Sequence, residues 1–283
     1  MYKRILLCTD GSPAADIAAD YAVWLVGNFS ASVLALYVTD IRLLEGPWLA
    51  DFAGAIGAQP YAALVPQMET IQRDKADAIL SAVQKKCQDH NIPCELAHDT
   101  GSLVPTMLRH EQRADLVVLG QHGEHAQWSH GMLGSGVERI IRASVKPALV
   151  TTGSFRPIER ILIAYDGSAG ARKALADGLD LAQRLHCETT LLTACQHASE
   201  DAAAAFLCEA QQEAESRCFP VHAQLAHGDA EVEILHWAHQ TKADLIVMGA
   251  YGHTRIREFV LGSTTHQVLH HTTVPVLLAR GQR

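Results

Sequence analysis

Two glycine-punctuated stretches carry the residues of this chain best suited to hold a ligand. The more regular is Ala243-Asp244-Leu245-Ile246-Val247-Met248-Gly249-Ala250-Tyr251-Gly252, followed after nine residues by Gly262-Ser263 and a segment containing Val268 and Leu269. A short run of branched apolar residues ending in glycine reads as a strand buried on both faces, and Gly262-Ser263 reads as the cap of the helix after it. Strand, glycine loop and helix N-terminus together make an anion site. Glycine lets the backbone approach a ligand closely, and the free amides and positive dipole end of a helix favour phosphate. The spacing is not that of a P-loop, since no Lys follows Gly262, and no Gly-x-Gly-x-x-Gly follows the strand. An open parallel sheet binds ligands beyond the carboxyl ends of its strands, where strand order reverses. If strands one and four are neighbours there, Asp166 of Ile161-Leu162-Ile163-Ala164-Tyr165-Asp166-Gly167-Ser168 faces the same crevice as Gly249 and Gly252. Its carboxylate could hydrogen-bond ribose hydroxyls or a base amino group while glycine amides and the Ser263 hydroxyl hold phosphates, so the inferred ligand is a nucleotide. The plain alternative for Asp-Gly-Ser is a turn and a helix cap.

The constellation occurs twice, and the duplication favours binding over a turn alone. Ala114-Asp115-Leu116-Val117-Val118-Leu119-Gly120-Gln121-His122-Gly123 leads, after ten residues rather than nine, to Gly134-Ser135, and Asp10-Gly11-Ser12 stands where the second copy has Asp166-Gly167-Ser168. His98-Asp99-Thr100-Gly101-Ser102 pairs with Leu225-Ala226-His227-Gly228-Asp229, and Lys146-Pro147-Ala148-Leu149-Val150 with Val274-Pro275-Val276-Leu277-Leu278. A repeat of this length is a domain duplication. It divides the 283 residues into domain 1 (residues 1–152) and domain 2 (158–283), with Gly153-Ser154-Phe155-Arg156-Pro157 as linker.

The elements that must position these residues alternate. In domain 1, strands are expected over 4–9, 32–38, 93–98, 116–119 and 148–151, with helices after Ser12, over about 68–89, from Ser102 to about Gln112 and from Ser135 to Ala143. Domain 2 repeats the order with strands at 160–165, 189–195, 220–226, 244–249 and 274–279. Alternation of this kind means βαβ units and a parallel sheet. Asp10 to Gly101 spans 91 positions but Asp166 to Gly228 only 62, so domain 1 carries about 29 extra residues, assigned to the irregular 42–67 region with its glycines and prolines.

Composition sets outer bounds. The net charge of −8, without a dense Lys/Arg run, argues against nucleic acid and anionic membranes as partners. The opening Met1-Tyr2-Lys3-Arg4 runs straight into a strand-like segment, and no apolar stretch reaches the roughly 20 residues of a membrane span, so a cytoplasmic location is expected. Seven scattered cysteines without a Cys-x-x-Cys pair fit reduced thiols better than disulfides or a zinc cluster.

The motif residues resemble the universal stress protein family in its tandem two-domain form, over nearly the whole chain. The family pattern is Gly, two residues, Gly, nine residues, then Gly followed by Ser or Thr at strand four, with an Asp ending strand one; Gly249, Gly252, Gly262, Ser263 and Asp166 match it directly. The resemblance implies an α/β fold of two tandem doubly wound domains, each a five-stranded parallel sheet in order 3-2-1-4-5 with helices on both faces. It also implies that the halves pack as a pseudo-dimer, and that ATP is held, with or without Mg2+, by Asp166, Gly249, Gly252, His253, Arg255, Gly262, Ser263 and Thr264. Domain 1 offers the weaker set Asp10, Gly120, Gly123, Gly134 and Ser135. Its interval holds ten residues and carries Glu124 with no Lys or Arg, where domain 2 has His253, Arg255 and Arg257. Each lost charge-assisted contact is worth ~1.5–3 kcal/mol, so domain 2 is expected to be the working site, with domain 1 empty or selective for something less charged.

Other residues are weighed on the same terms. His122, His125 and His130, or His266, His270 and His271, invite a metal, but no His-Glu-x-x-His or nearby Cys supports zinc. Cys8 and Cys195 fall in strands and read as core, whereas a redox-sensing thiol would be an exposed one such as Cys87 or Cys218. Trp24 and Trp237 read as helix–sheet packing, and Trp48 and Trp128 fall in loops. Only Asp166 and Ser263 could serve hydrolysis, and no Gly-x-Ser-x-Gly occurs, so the expected function is an ATP-binding stress or signalling module, not an enzyme. The alternatives are an interaction protein with vestigial sites and an unidentified protein partner, a slow ATPase, or an ATP-cleaving ligase. A further homodimer is left open.

Overall fold

The computed structural model describes residues 2–41, 65–123, 133–195, 200–250 and 261–280. Domain 1 runs β1 (Arg4–Cys8), α1 (Pro13–Phe29), β2 (Ser32–Asp40), α2 (Val65–Asp89), β3 (Cys94–Gly101), α3 (Leu103–Glu111), β4 (Leu116–Gly120), α4 (Ser135–Ala143) and β5 (Ala148–Thr151). Domain 2 repeats it: β6 (Arg160–Ala164), α5 (Ala169–Leu185), β7 (Glu188–Cys195), α6 (Glu200–Ser216), β8 (His222–His227), α7 (Ala230–Gln240), β9 (Leu245–Gly249), α8 (Ser263–His271) and β10 (Val276–Ala279).

The ten strands form one sheet in the order β3-β2-β1-β4-β5-β10-β9-β6-β7-β8, so each half has its own strands in the order 3-2-1-4-5. Pairing is parallel within each half, and β1 lies against β4 as β6 lies against β9. The halves meet through a single antiparallel pair, β5 with β10, in which Leu149 faces its own counterpart Leu277. An approximate twofold axis therefore passes between these two leucines. Strand alternation sends Ile5 and Leu7 to the face covered by α1 and α2, and Leu6 to the face covered by α3 and α4. Each face carries an apolar layer that continues across the β5–β10 seam into domain 2. The linker is docked: the Phe155 ring packs on Tyr21 at 4.9 Å and on Trp24 at 6.4 Å, and the Arg156 amide donates to the Tyr21 hydroxyl at 3.3 Å.

Several boundaries differ from those expected. The long helix of domain 1 begins at Val65 rather than near Met68, with Pro66 in its first turn, where the missing N–H would have no partner anyway. Strands β2 and β3 run on to Asp40 and Gly101 because each partners the other to its end. Gly11 closes on Ile79 of α2 as Gly167 closes on Phe206 of α6, and Thr9 and Tyr165 donate to Leu36 and Leu192, which fixes the register between halves. All the extra length of domain 1 then falls between β2 and the middle of α2. Part of it lengthens α2 at its N-terminus; residues 42–64 lie outside the described ones.

Glu111, at the end of α3, has no sequence feature to announce it and is almost fully buried. Its carboxylate accepts from the Ser144 hydroxyl and from the Val145 and Lys146 amides, at 3.1 Å each for the two amides, tying the turn before β5 to α3. Glu111→Ala takes the acceptor from the Val145 and Lys146 amides, while the Ser144 hydroxyl keeps Lys146 O, and a loss of about 2–4 kcal/mol is expected in urea denaturation.

Candidate functional site

The first-strand carboxylate and the fourth-strand glycine loop come together in domain 1. One carboxylate oxygen of Asp10 accepts from the Ser12 amide at 3.0 Å, and the Ser12 hydroxyl caps α1 by accepting from Ala15 at 3.2 Å. Gly11 between them holds φ +78°, a left-handed backbone that glycine adopts without strain. The second oxygen points the other way: a Cβ built on Gly123 would stand 2.9 Å from Asp10 Oδ2. Asp10 thus does both jobs that the sequence leaves open, turn-maker with one oxygen and crevice wall with the other. Domain 2 repeats the turn, with Ser168 donating to Asp166 at 3.0 Å, Ser168 capping α5 at 3.1 Å and Gly167 at φ +74°. Asp166 is exposed.

The helix beyond the glycine loop starts one residue earlier than a serine cap would require. Gly134 and Gly262 are themselves the N-cap residues of α4 and α8, and Ser135 and Ser263 are the first helical residues. Neither helix start has a side-chain capping bond, so the first-turn amides are not used up by the chain's own oxygens. Both serines are exposed at the rim. Thr264 follows Ser263, and the Thr265 hydroxyl donates to Gly249 O at 3.2 Å, pinning the start of α8 to the end of β9. Gly252, His253 and Arg255, and with them Arg257, lie outside the described residues, as do Glu124, His125, His130, Trp48 and Trp128.

Gly120 and Gly249 also have a packing role. A Cβ on Gly120 would lie 2.6 Å from the Ala14 carbonyl carbon, and one on Gly249 would lie 2.8 Å from that of Gly170. These glycines let the first turn of α1 or α5 close onto the sheet, and Gly120 lines the crevice as well.

In domain 1 the crevice is a cavity of about 540 Å3, within the range of small-molecule sites. Asp10, Gly120, Gly123, Gly134 and Ser135 all line it. Sequence reasoning missed its far wall. Gln72 and Lys75 of α2 and Asp40 at the end of β2 line it too, and only the packing of α2 over β2 brings them there. Its floor is apolar, with Leu36, Met107, Leu119, Val137 and Ile140. Cys8 also faces it, and burial, with a smaller push from the Glu111 charge, raises that thiol to about 12, so it stays protonated at neutral pH.

The remaining thiols and histidines sort as follows. Cys87 is buried and lies against Cys94; a hydrogen bond between the two, together with burial, holds its pKa far above the ordinary value. That excludes it as the exposed low-pKa thiol contemplated above. Cys218 is exposed, and Cys195 ends a strand in a half-buried position. Among the described residues no group of three or more His, Cys, Asp or Glu is arranged to hold a metal. Nor is any described helix long and apolar enough to cross a membrane.

His266 and His270 stack one turn apart with ring centroids 5.0 Å apart, and the latter has a structural task at the seam. The Leu133 amide donates to His270 Nε2 at 3.3 Å, and the Gln121 side-chain amide donates to Leu269 O. Both bonds hold the domain 1 glycine loop against α8 of domain 2. Burial lowers the pKa of His270, and the nearby His266, His271 and His122 lower it further against the opposing pull of Glu138. Its folded value lies below the unfolded ~6.5, so the neutral form stabilises the fold above about pH 6.5, and that contribution is lost as pH falls through the folded value. Melting curves should fall more steeply between pH 7.5 and 5 for the unmodified protein than for His270→Gln; parallel curves would exclude this titration.

Comparison with known proteins agrees with this geometry. The profile of the universal stress protein family matches residues 1–152 and again 157–280. Universal stress protein Slr1230 of Synechocystis is 35% identical over 98% of this chain and 100% of its own length. The Bacillus subtilis universal stress protein YxiE is 26% identical and aligns 98% of its length with 43% of the chain, about one of the two halves. Among solved structures, a universal stress protein from Archaeoglobus fulgidus superposes over 99% of both chains with a TM-score of 0.77 at 20% identity, a likeness of fold. The chain belongs to the universal stress protein family and carries two of its domains in tandem.

Proposed function

We propose that this protein is a cytoplasmic, ATP-binding stress-response or signalling module whose nucleotide is held chiefly in domain 2. The observation that carries the reading is the turned-out carboxylate at the end of strand one, standing against a glycine loop whose following helix leaves its first amides uncapped. In domain 1 that arrangement encloses a cavity, and domain 2 repeats its framework through Asp166, Gly249, Gly262 and Ser263. Domain 2 adds a hydroxyl at the start of the helix: Thr264 stands where domain 1 has Gly136. His253 and Arg255 follow Gly252 in the sequence and supply positive charge that the domain 1 interval lacks.

In such a site Asp166 would accept from ribose hydroxyls, while the amides and hydroxyls at the start of α8 would take the phosphates. Mg2+ would arrive with the nucleotide and offset part of the negative charge of its phosphates. Asp166 and Ser263 are the groups of this site that could serve hydrolysis, and both are assigned to holding the ligand, so binding rather than turnover is the proposed activity. Seven cysteines, none in a disulfide, fit a reducing compartment.

Protein purified without added nucleotide, then denatured, should release ATP or ADP at about one per chain. Release of nothing, with no heat of ATP binding in calorimetry, would overturn the proposal.

A further inference from the structure

The two crevices are built on one framework but lined differently. At the phosphate end, Gly136 of domain 1 stands where domain 2 has the hydroxyl of Thr264. At the opposite end, Lys75 of α2 takes the place that Ala202 has on α6, given that Ile79 and Phe206 meet equivalent glycines. Asp40 adds a second carboxylate beside Asp10, on the neighbouring strand. Among the described residues the lining holds two carboxylates and one ammonium, with His122 beside them. A polyphosphate with three or four negative charges meets both carboxylates there and finds fewer hydroxyls at the start of α4 than at the start of α8.

What this lining does favour is equally specific. Carboxylates only accept hydrogen bonds, so Asp10 and Asp40 select a ligand rich in hydroxyl or amino donors. Leu36, Met107, Val137 and Ile140 give the cavity apolar walls that suit a flat ring. Lys75 and Gln72 can donate to ring nitrogens or carbonyls. We propose that the domain 1 crevice is a second, distinct site that takes an uncharged nucleoside and rejects nucleoside polyphosphates. This deepens the nucleotide reading of the crevice and rests on it, but it does not depend on ATP occupying domain 2.

The test uses the full chain with the domain 2 cradle blocked at both ends by Gly262→Asp together with Asp166→Ala, titrated calorimetrically with adenosine and, separately, with ATP. Adenosine should bind once per chain and ATP at least about tenfold more weakly. Asp40→Asn on this background should weaken adenosine by about tenfold and narrow its advantage over ATP, because removing a carboxylate costs a donor-selective contact and relieves repulsion. A change in that ratio is not produced by a variant that merely unfolds, and circular dichroism checks the fold. No adenosine binding in the blocked protein, while the unmodified chain still binds ATP, would overturn the second site and leave the domain 2 reading standing. Adenosine binding without any ATP binding in the unmodified chain would overturn the domain 2 reading and leave the second site standing. ATP bound in the blocked protein as tightly as adenosine would overturn the selectivity.

Discussion

Gly262→Asp should lower ATP affinity by on the order of 100-fold without destabilising the protein. Gly262 is the N-cap of α8 with φ −58° and ψ 144°, an extended conformation that any residue adopts and that a capping aspartate prefers. The new carboxylate would accept from the first-turn amides that the proposal reserves for phosphate. It would also stand within roughly 5 Å of that phosphate, where one pair of like charges costs ~3 kcal/mol at an effective dielectric of ~20. The helix is thus capped by the change that closes its anion site, which separates loss of ligand from loss of fold. Ser263→Ala should cost about tenfold, the worth of one hydroxyl contact to a charged group. Gly134→Asp, the same change in domain 1, should leave ATP affinity unaltered. An ATP affinity in Gly262→Asp within about threefold of the unmodified protein would sink the assignment of nucleotide to domain 2.

The second large effect concerns stability. Gly120→Ala and Gly249→Ala should each cost about 2–3 kcal/mol, because the new methyl group meets the backbone of Ala14 or Gly170 at under 3 Å. Backbone cannot rotate aside as a side chain can, so α1 or α5 must shift on the sheet. Gly27→Ala is the internal comparison: it lies in the last turn of α1 with nothing within 4 Å of the added Cβ, and should gain about 0.5 kcal/mol. Urea denaturation of the three variants checks both signs. If Gly120→Ala were as stable as the unmodified protein, helix closure would not be the reason for its glycine.

The wiring of the seam gives these sites a shared element. Helix α8 begins at the domain 2 cradle with Ser263 and ends by holding Gln121 and Leu133 of the domain 1 loop through Leu269 and His270. The nine-residue helix therefore runs from the domain 2 cradle to the domain 1 loop.

Much of this was legible from residue order alone. The duplication, the alternation of strands and helices, and the pairing of Asp10 with Gly123 depend on local signals: branched apolar runs, glycines at turns, and the rule that parallel sheets open at their carboxyl ends. A repeated pattern strengthens each of these, since two copies are unlikely to share a chance turn. Local signals left open what a residue that serves two ends does. A strand-end glycine permits close approach of a ligand or of a helix, and only the helix position shows that Gly120 and Gly249 serve the second. The pair Gly262-Ser263 read as the cap of α8, and the structure assigns the cap itself to Gly262.

What the sequence by itself determined is the family, the two domains and the side of each sheet on which a ligand would sit, because these follow from periodicity and motif spacing along the chain. The tertiary structure alone decided that the halves share one sheet through Leu149 and Leu277, that Glu111 anchors a turn more than thirty residues away, and that Lys75 and Asp40 share the wall of the domain 1 crevice. Those are contacts between elements far apart in the chain, set by how a helix packs over a strand, and no local pattern encodes which side chains such packing brings face to face.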